Sequence, residues 1–140
     1  MTVNDMTLLL DEHATSVAVI GASDDLHKYG AIVYRRMKAL GYDVLAVNPK
    51  RTTVDGDPAY PDLSSLPRPP DIVNFVVPPE VGRDVAREAL SLGYVNLWFQ
   101  PGAEWAGVEA ELTGSGGNVL VDACIMVRAA WSPVRGSVEG

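Results

Sequence analysis

Five short apolar segments, separated by stretches with helical periodicity, constrain the fold of this chain more than any other feature. They cover residues 16–20, 43–47, 72–77, 96–99 and 118–121. Short buried strands that alternate with helices are typical of a parallel sheet with helices on both of its faces. Because right-handed crossovers restrict the topology, we predict a Rossmann-like α/β fold: a doubly wound, parallel, five-stranded sheet in the order 3-2-1-4-5.

The segments between these strands predict the remaining elements. Apolar residues at helical spacing predict helices over residues 29–40, 80–92 and 103–112, and a further helix over 124–131. Residues 50–61 are rich in turn residues and predict an irregular excursion with room for a short edge strand. Residues 1–14 predict a lead-in helix capped by Asn4 or Asp5, and residues 132–140 predict a flexible tail. The domain itself is expected over residues 15–131.

Composition and net charge restrict the kinds of molecule that the chain is expected to bind. Its 140 residues are 47% hydrophobic and are expected to form one domain with a real core. The net charge of −7 disfavours nucleic acid and anionic membranes as partners, although it leaves room for a local basic spot. A single cysteine rules out an intrachain disulfide, and neither a secretory signal nor a bilayer-length apolar run is present. We therefore expect a cytoplasmic protein.

The first strand ends in a glycine loop that is typical of phosphate binding. Gly21 follows the strand directly, Ala22 and Ser23 continue the loop, and a helical pattern begins by Tyr29. A glycine lets backbone N–H groups approach an anion, and the start of a helix carries partial positive charge. The loop departs from G-x-G-x-x-G, because Ser23 holds the third position and the next glycine is Gly30. A strand-ending glycine without any ligand is the alternative interpretation.

The end of the second strand carries cations where a dinucleotide site usually carries an acid. Asn48 and Pro49 are followed by Lys50 and Arg51, and no acidic residue stands there to hold ribose hydroxyls. This disfavours NAD and favours a ligand with an additional phosphate near its ribose. Lys28, Lys50 and Arg51 are the candidate phosphate partners, with solvated surface cations as the alternative.

The later strand ends offer a wall and a thiol, but no catalytic set. Pro78 and Pro79 would either shape a ligand wall or simply start a helix. Gln100 would either hydrogen-bond an adenine or an amide of the ligand, or belong to an ordinary turn. Cys124 would meet a ligand thiol or acyl group, or lie in the core. His13 and His27 lack metal-ligand spacing, and we find no paired carboxylates or nucleophile–base pair. The sequence therefore predicts neither catalytic residues nor a metal site.

Five sequence pieces, in order along the chain, carry a resemblance to a known family. They are VAVIGAS at 17–23, LAVNPK at 45–50, DIVNFVVPP at 71–79, LWFQPG at 97–102 and VDACIMV at 121–127. With these pieces the chain resembles the stand-alone CoA-binding domain proteins over about residues 15–130. Their Rossmann-like domain is similar to the CoA-binding domain of the succinyl-CoA synthetase α subunit and of ADP-forming acyl-CoA synthetases.

The resemblance implies a ligand and a set of contacts. It implies that Gly21, Ala22 and Ser23 cradle the pyrophosphate of coenzyme A, and that Lys50, beside Asn48 and Pro49, meets a phosphate near the adenosine. The adenine and pantetheine path would be lined by Val77, Pro78, Pro79, Trp98, Phe99 and Gln100. One departure is Arg128, which stands where the family often has Glu or His and weakens any reactive role for Cys124.

These observations favour a protein that binds coenzyme A or an acyl-CoA without catalysis of its own, as a carrier, a sensor or a subunit. The larger synthetases need a phosphorylated histidine and a nucleotide-grasp domain, for which 140 residues leave no room. Two other functions stay open: an NADP-binding reductase, and a regulatory interaction module with a vestigial pocket. The expected partner is the small molecule CoA rather than nucleic acid or membrane, with a homo-oligomer or a partner subunit left open.

Overall fold

The computed structural model describes residues 5–12 and 14–131. Within them the strands are β1 (Ser16–Ile20), β2 (Asp43–Val47), β3 (Thr53–Val54), β4 (Asp57–Tyr60), β5 (Ile72–Phe75), β6 (Asn96–Phe99) and β7 (Asn118–Leu120). The α-helices are α1 (Tyr29–Ala39), α2 (Pro79–Ser91), α3 (Val108–Thr113) and α4 (Ile125–Ala130). Two short 3-10 helices, Met6–Asp11 and Leu63–Ser65, complete the described elements.

The strands form one sheet in the order β3-β4-β2-β1-β5-β6-β7. All neighbours pair in parallel except β3 and β4, which form an antiparallel hairpin at the edge. The α/β class and the Rossmann-like parallel sheet are therefore confirmed. The count of five is corrected to seven within the described residues, and the five predicted segments lie in the order 2-1-3-4-5. The third of them, β5, lies beside β1, because β4 takes the place beyond β2.

The two additional strands come from the turn-rich segment that follows β2, where the sequence predicts an irregular excursion with room for one short edge strand. The hairpin turns at Asp55 and Gly56, which adopt φ values of +51° and +79°. This pair of positive φ angles matches the twist of a tight hairpin, and an Asp-Gly pair tolerates it well. Only Ala46–Ala59 and Val47–Tyr60 pair β4 with β2. A strand this short, with Pro58 inside it, has no continuous apolar run for the sequence pattern to reveal.

The α-helices differ from their predicted bounds by at most one residue at each end, except for α3. The helix predicted over 103–112 begins only at Val108, because Gly107 precedes it with a left-handed φ of +83°. The lead-in helix is the 3-10 helix Met6–Asp11, and Asp5 caps it by accepting from the Thr7 amide at 2.9 Å. The alternative cap Asn4, His13 and the predicted tail over 132–140 lie outside the described residues.

Both faces of the sheet are covered, and β1 shows this most directly. Val17 and Val19 belong to the core cluster that includes residues of α1 and α4, whereas Ala18 and Ile20 belong to the cluster that includes residues of α2 and α3. All four side chains are almost fully buried. A strand buried on both faces reads as a continuous apolar run, as the sequence pattern indicates. In the described part of the chain, no helix is long and apolar enough to cross a membrane.

Candidate functional site

A cleft of about 640 Å³ opens at the carboxyl ends of β1, β2 and β5. α1 follows β1 and packs on one face of the sheet, while α2 follows β5 and packs on the other. Such a switch of faces between neighbouring strands leaves a crevice in which open α/β sheets bind ligands. The cleft brings together eight of the predicted site residues: Gly21, Ser23, Lys28, Asn48, Pro49, Lys50, Val77 and Pro78.

A second cavity of about 550 Å³ adjoins the cleft. Both are lined by Tyr29, Val76, Val77 and Pro78, so the two spaces share a wall and form one groove. The second cavity reaches the carboxyl end of β6, where it adds two more predicted residues, Pro79 and Gln100. The groove therefore continues from the end of β2 to the end of β6.

The floor of the cleft depends on a close approach between two glycines. Gly21 has a φ of +97°, and a Cβ atom there would lie 2.8 Å from Val77 Cγ1 and 3.1 Å from the Val76 carbonyl oxygen. A Cβ atom on Gly30 would lie 2.0 Å from the carbonyl oxygen of Gly21. The first turn of α1 can rest on the glycine loop only because Gly30 lacks a side chain, and the loop can approach the segment after β5 because Gly21 lacks one. The sequence pattern missed this role of Gly30, since its spacing from Gly21 does not fit G-x-G-x-x-G.

Ala22 and Ser23 are the buried residues of the glycine loop. Ser23 is 2% exposed, and its Oγ accepts a hydrogen bond of 3.0 Å from the backbone N–H of Asp25. The hydroxyl thus stabilises its own loop, and it also lines the cleft. Ala22 is buried in the core, so that its side chain does not line the cleft.

Asn48 ties the loop after β2 to the loop after β1. Its Nδ2 donates to the Ala22 carbonyl oxygen at 2.9 Å, and its Oδ1 accepts from the Lys50 amide at 2.9 Å. Both ends of the amide are therefore used to shape the backbone around the cleft. Lys50 follows directly, so Asn48 also determines where that cation leaves the backbone.

The three candidate cations differ in whether a carboxylate of the protein already lies near them. Lys28 and Lys50 line the cleft with exposed side chains, and within the described chain neither has a carboxylate within ion-pair distance. The Arg51 guanidinium lies 3.8 Å from Asp24, a carboxylate that also lies 3.7 Å from Arg35. Two lysines are thus available to an anionic ligand, while Arg51 is held partly by the protein.

Two of the predicted lining residues belong to the core instead. Trp98 and Phe99 are both fully buried and border neither cavity. The Trp98 indole donates from Nε1 to the Ala123 carbonyl oxygen at 2.8 Å, and Phe99 stacks on Phe75 with ring centroids 4.3 Å apart. Successive residues of a buried strand point into the two opposite cores, so only residues beyond the strand end reach the groove.

Gln100, beyond that strand end, connects the groove to Cys124. Its Oε1 accepts from the Ile125 amide at 2.8 Å, and its Nε2 lies 3.4 Å from the Cys124 sulfur. The Tyr29 hydroxyl lies 3.3 Å from the same sulfur. Burial raises the pKa of the Cys124 thiol, but the hydrogen bonds from Tyr29, from Gln100 and from the Val127 and Met126 backbone together outweigh it and hold the pKa below its ordinary value. A half-buried thiol thus lies behind two residues of the groove wall.

Several lining residues were missed by the sequence analysis. Tyr29 contributes to both cavities, and the cleft is also lined by Pro61, Asp62, Val81, Val85 and Glu88. Val81 and Val85 stand at helical spacing on the apolar face of α2. Helical periodicity marks an apolar face, but it does not tell whether that face covers the sheet or borders a cleft.

Within residues 5–12 and 14–131, no group of three or more His, Cys, Asp or Glu side chains is placed to hold a metal ion. The His27 side chain is 98% exposed and lies 3.3 Å from Asp25 in the loop after β1. This pair is a local loop contact at the surface, since the Asp25 carboxylate also accepts from the His27 amide at 3.0 Å.

Comparison with known proteins places the chain among small domains of the same architecture. A family model described as "CoA binding domain" matches residues 15–130. The chain is 30% identical over 119 residues to the uncharacterized protein YneT of Bacillus subtilis (strain 168), covering 85% of this chain and 88% of that protein. A solved structure of a conserved hypothetical protein from Pyrococcus furiosus is 40% identical, with a TM-score of 0.77, and the match covers 81% of this chain and 97% of that one.

A larger enzyme contains a similar domain. The dinucleotide-forming acetyl-coenzyme A synthetase 1 of Ca. Korarchaeum cryptofilum, solved with phosphate and ADP, is 25% identical with a TM-score of 0.65. The match covers 83% of this chain but only 27% of the synthetase chain. The chain is thus similar to one part of that enzyme.

Proposed function

Because the chain belongs to the CoA binding domain family, we propose that it binds coenzyme A or an acyl-CoA in the groove at the carboxyl ends of β1, β2, β5 and β6. The observation that carries the proposal is the phosphate end of the cleft. There, the glycine loop, the first turn of α1 and the free cations Lys28 and Lys50 border one space. Backbone N–H groups at the start of a helix, together with lysine side chains, are a common way to bind phosphate.

The groove also suits the rest of the ligand. Coenzyme A carries a pyrophosphate and a ribose 3′-phosphate at one end and a long pantetheine arm at the other. We assign the pyrophosphate to the loop of Gly21, Ala22 and Ser23, and the 3′-phosphate to Lys50 beside Asn48 and Pro49. The arm then passes Val77 and Pro78 into the second cavity, where Pro79 and Gln100 border it. Its thiol end would come to rest near Tyr29 and Gln100, the neighbours of Cys124.

We propose binding without chemistry by this chain alone. The described residues line the groove without a nucleophile–base pair, and a match to 27% of a synthetase chain does not carry that enzyme's activity with it. A carrier, a CoA sensor or a subunit of a larger assembly, including a homo-oligomer, would each use the groove in this way. A cytoplasmic location remains our expectation from the sequence.

The test is a calorimetric titration with coenzyme A and with dephospho-CoA. We expect coenzyme A to bind at least about tenfold more tightly, because a charge-assisted phosphate contact contributes about 1.5–3 kcal/mol. Lys50→Ala should weaken coenzyme A binding and bring the two affinities close together. Arg36→Ala is the matched control, since it removes one positive charge from an exposed position outside the groove. Equal affinities of the unaltered protein for the two ligands would contradict the assignment of Lys50.

An NADP-binding reductase is the second candidate, because the same cations would suit a ribose 2′-phosphate. A titration with NADPH under the same conditions separates the two functions. Tighter binding of NADPH than of coenzyme A would favour the reductase. Binding of neither would favour an interaction module with a vestigial pocket.

A further inference from the structure

The cleft carries two acidic side chains whose negative charges would repel the phosphate groups of a polyanionic ligand. Asp62 and Glu88 line the same space as Lys28, Lys50 and Arg51. The cations lie in or next to the loops after β1 and β2, whereas Glu88 lies on α2 and Asp62 precedes the 3-10 helix Leu63–Ser65. Since like charges repel, phosphate groups belong to the cationic part, and the acidic part has to receive something else.

The two carboxylates differ in how many hydrogen bonds they already accept within the protein. Oδ1 of Asp62 caps the 3-10 helix, accepting from the Ser65 amide at 3.0 Å and from the hydroxyls of Ser64 and Ser65 at 3.0 and 2.6 Å. Oε2 of Glu88 accepts from the Ser64 amide at 3.3 Å, which holds the side chain in place. Its Oε1 has no hydrogen-bond partner among the described residues. Glu88 is therefore a held acceptor with one free oxygen.

The surroundings of Glu88 are suited to a flat ring. Val81, Val85 and Glu88 follow one another at helical spacing along one side of α2, and all three line the cleft. Pro61 and Pro49 add further apolar surface to the same cleft. Val81 is 49% exposed, so its side chain is accessible to a ligand in the cleft. An apolar slot with a hydrogen-bond acceptor matches an aromatic heterocycle that bears an N–H donor.

We propose that Glu88 is a specificity-determining residue, whose free carboxylate oxygen accepts a hydrogen bond from the 6-amino group of the adenine ring. This proposal rests on the proposed function, because it presumes that the cleft holds an adenosine ligand. The base lies against Val81 and Val85, with its phosphates directed to Lys28 and Lys50. Glu88 thus selects the base and orients the ligand, while the cations bind its phosphates.

The test compares coenzyme A with 1,N6-etheno-CoA, in which the 6-amino group is bridged and no longer donates. We expect the unaltered protein to bind coenzyme A about tenfold more tightly, because a hydrogen bond to a charged acceptor is lost. In Glu88→Gln the ratio should fall towards one, since a glutamine amide can donate to the bridged nitrogen. Asp84→Asn is the matched control: it neutralises an exposed acid on the same helix that does not line the cleft, and should keep the ratio.

Three outcomes would overturn the proposal. The first is equal affinity of the unaltered protein for the two ligands. The second is a ratio that Glu88→Gln leaves unchanged, which would mean that the added ring is excluded by its size alone. The third is a variant that binds both ligands more tightly by the same factor, which would make Glu88 only a repulsive charge. Failure of both ligands to bind would instead contradict the proposed function and remove the premise of this proposal.

Discussion

At the scale of single residues, the shape of the cleft depends on glycines, which have no side chain, as much as on the side chains that line it. Gly30 lies against the carbonyl oxygen of Gly21, and this contact leaves no room for a methyl group. Gly82, in the middle of α2, has a different surrounding: a Cβ atom there would lie 3.6 Å from the nearest atom, Val77 Cγ2. The two helical glycines therefore allow a direct comparison of their roles.

Gly30→Ala should destabilise the protein and distort the phosphate end of the cleft. A Cβ atom 2.0 Å from a backbone oxygen forces α1 and the glycine loop apart, and overpacking of this kind costs on the order of 3 kcal/mol. Denaturant unfolding measures the loss. Gly82→Ala, which gains helix propensity at ordinary contact distance, should change stability by less than about 1 kcal/mol in either direction. Equal effects of the two variants would show that the close approach is not a constraint.

Cys124 offers a second test at this scale. Burial raises the pKa of its thiol, but the hydrogen bonds from Tyr29, from Gln100 and from the backbone that follows together hold it below the ordinary value. The rate of alkylation by iodoacetamide should therefore rise with pH at a midpoint below that of a free cysteine. Tyr29→Phe removes one hydrogen-bond donor and should shift the midpoint upward, whereas Tyr94→Phe should leave it in place. A midpoint that Tyr29→Phe does not move would show that the phenol does not stabilise the thiolate.

At the scale of elements, the edge hairpin β3–β4 is fastened to α1 by polar side chains. The Tyr34 hydroxyl donates to Asp57 Oδ2 at 2.8 Å, and Lys38 Nζ lies 2.8 Å from the same oxygen. Lys38 and Arg35 also reach Asp55, at 3.2 and 3.0 Å. These contacts connect the hairpin to the helix whose first turn borders the cleft.

Asp57→Asn should weaken this attachment in a manner that depends on pH. The hydrogen bonds from Lys38 and Tyr34 lower the pKa of Asp57 in the folded protein. A carboxylate with a lowered folded pKa adds stability above its unfolded pKa and loses it as the pH falls through the folded pKa. The variant should thus be less stable at neutral pH, by less than about 1 kcal/mol, because solvent screens the partly exposed pair.

That difference should shrink as the pH is lowered from about 6 to about 2, and urea unfolding of both proteins across this range measures it. Asp84→Asn, an exposed acid on α2, serves as the control with no such dependence. A difference between Asp57→Asn and the unaltered protein that stays constant over the whole range would rule out an ionised Asp57 as its source.

At the scale of the whole molecule, the groove is a consequence of the topology. α1 and α2 leave neighbouring strands towards opposite faces, so the crevice between β1 and β5 stays open. The gathering of site residues at the carboxyl edge of the sheet follows from the sequence, because buried parallel strands are continuous apolar runs and their carboxyl ends are marked by Gly21, Asn48, Pro78 and Gln100. The strand-end residues of the groove could therefore be predicted by number.

The remainder depended on information that the sequence pattern does not carry. β3 and β4 are too short and too polar to show periodicity, and without β4 the position of β5 beside β1 could not be deduced. Trp98 and Phe99 are aromatic residues near a strand end, where a ligand wall is expected. The alternation of side chains along β6 instead directs one into each of the two cores on opposite faces of the sheet. Glu88 is one acid among several on an amphipathic helix, and only the fold brings it to the same cleft as Lys50.

The most direct measurement is a crystal structure of the protein grown with saturating coenzyme A. We expect density for the ligand along the groove, with the pyrophosphate against the loop of Gly21, the 3′-phosphate within hydrogen-bond distance of Lys50, and the pantetheine arm passing Val77 and Pro78. Density for coenzyme A elsewhere on the molecule, or a groove that stays empty at saturation, would contradict this expectation.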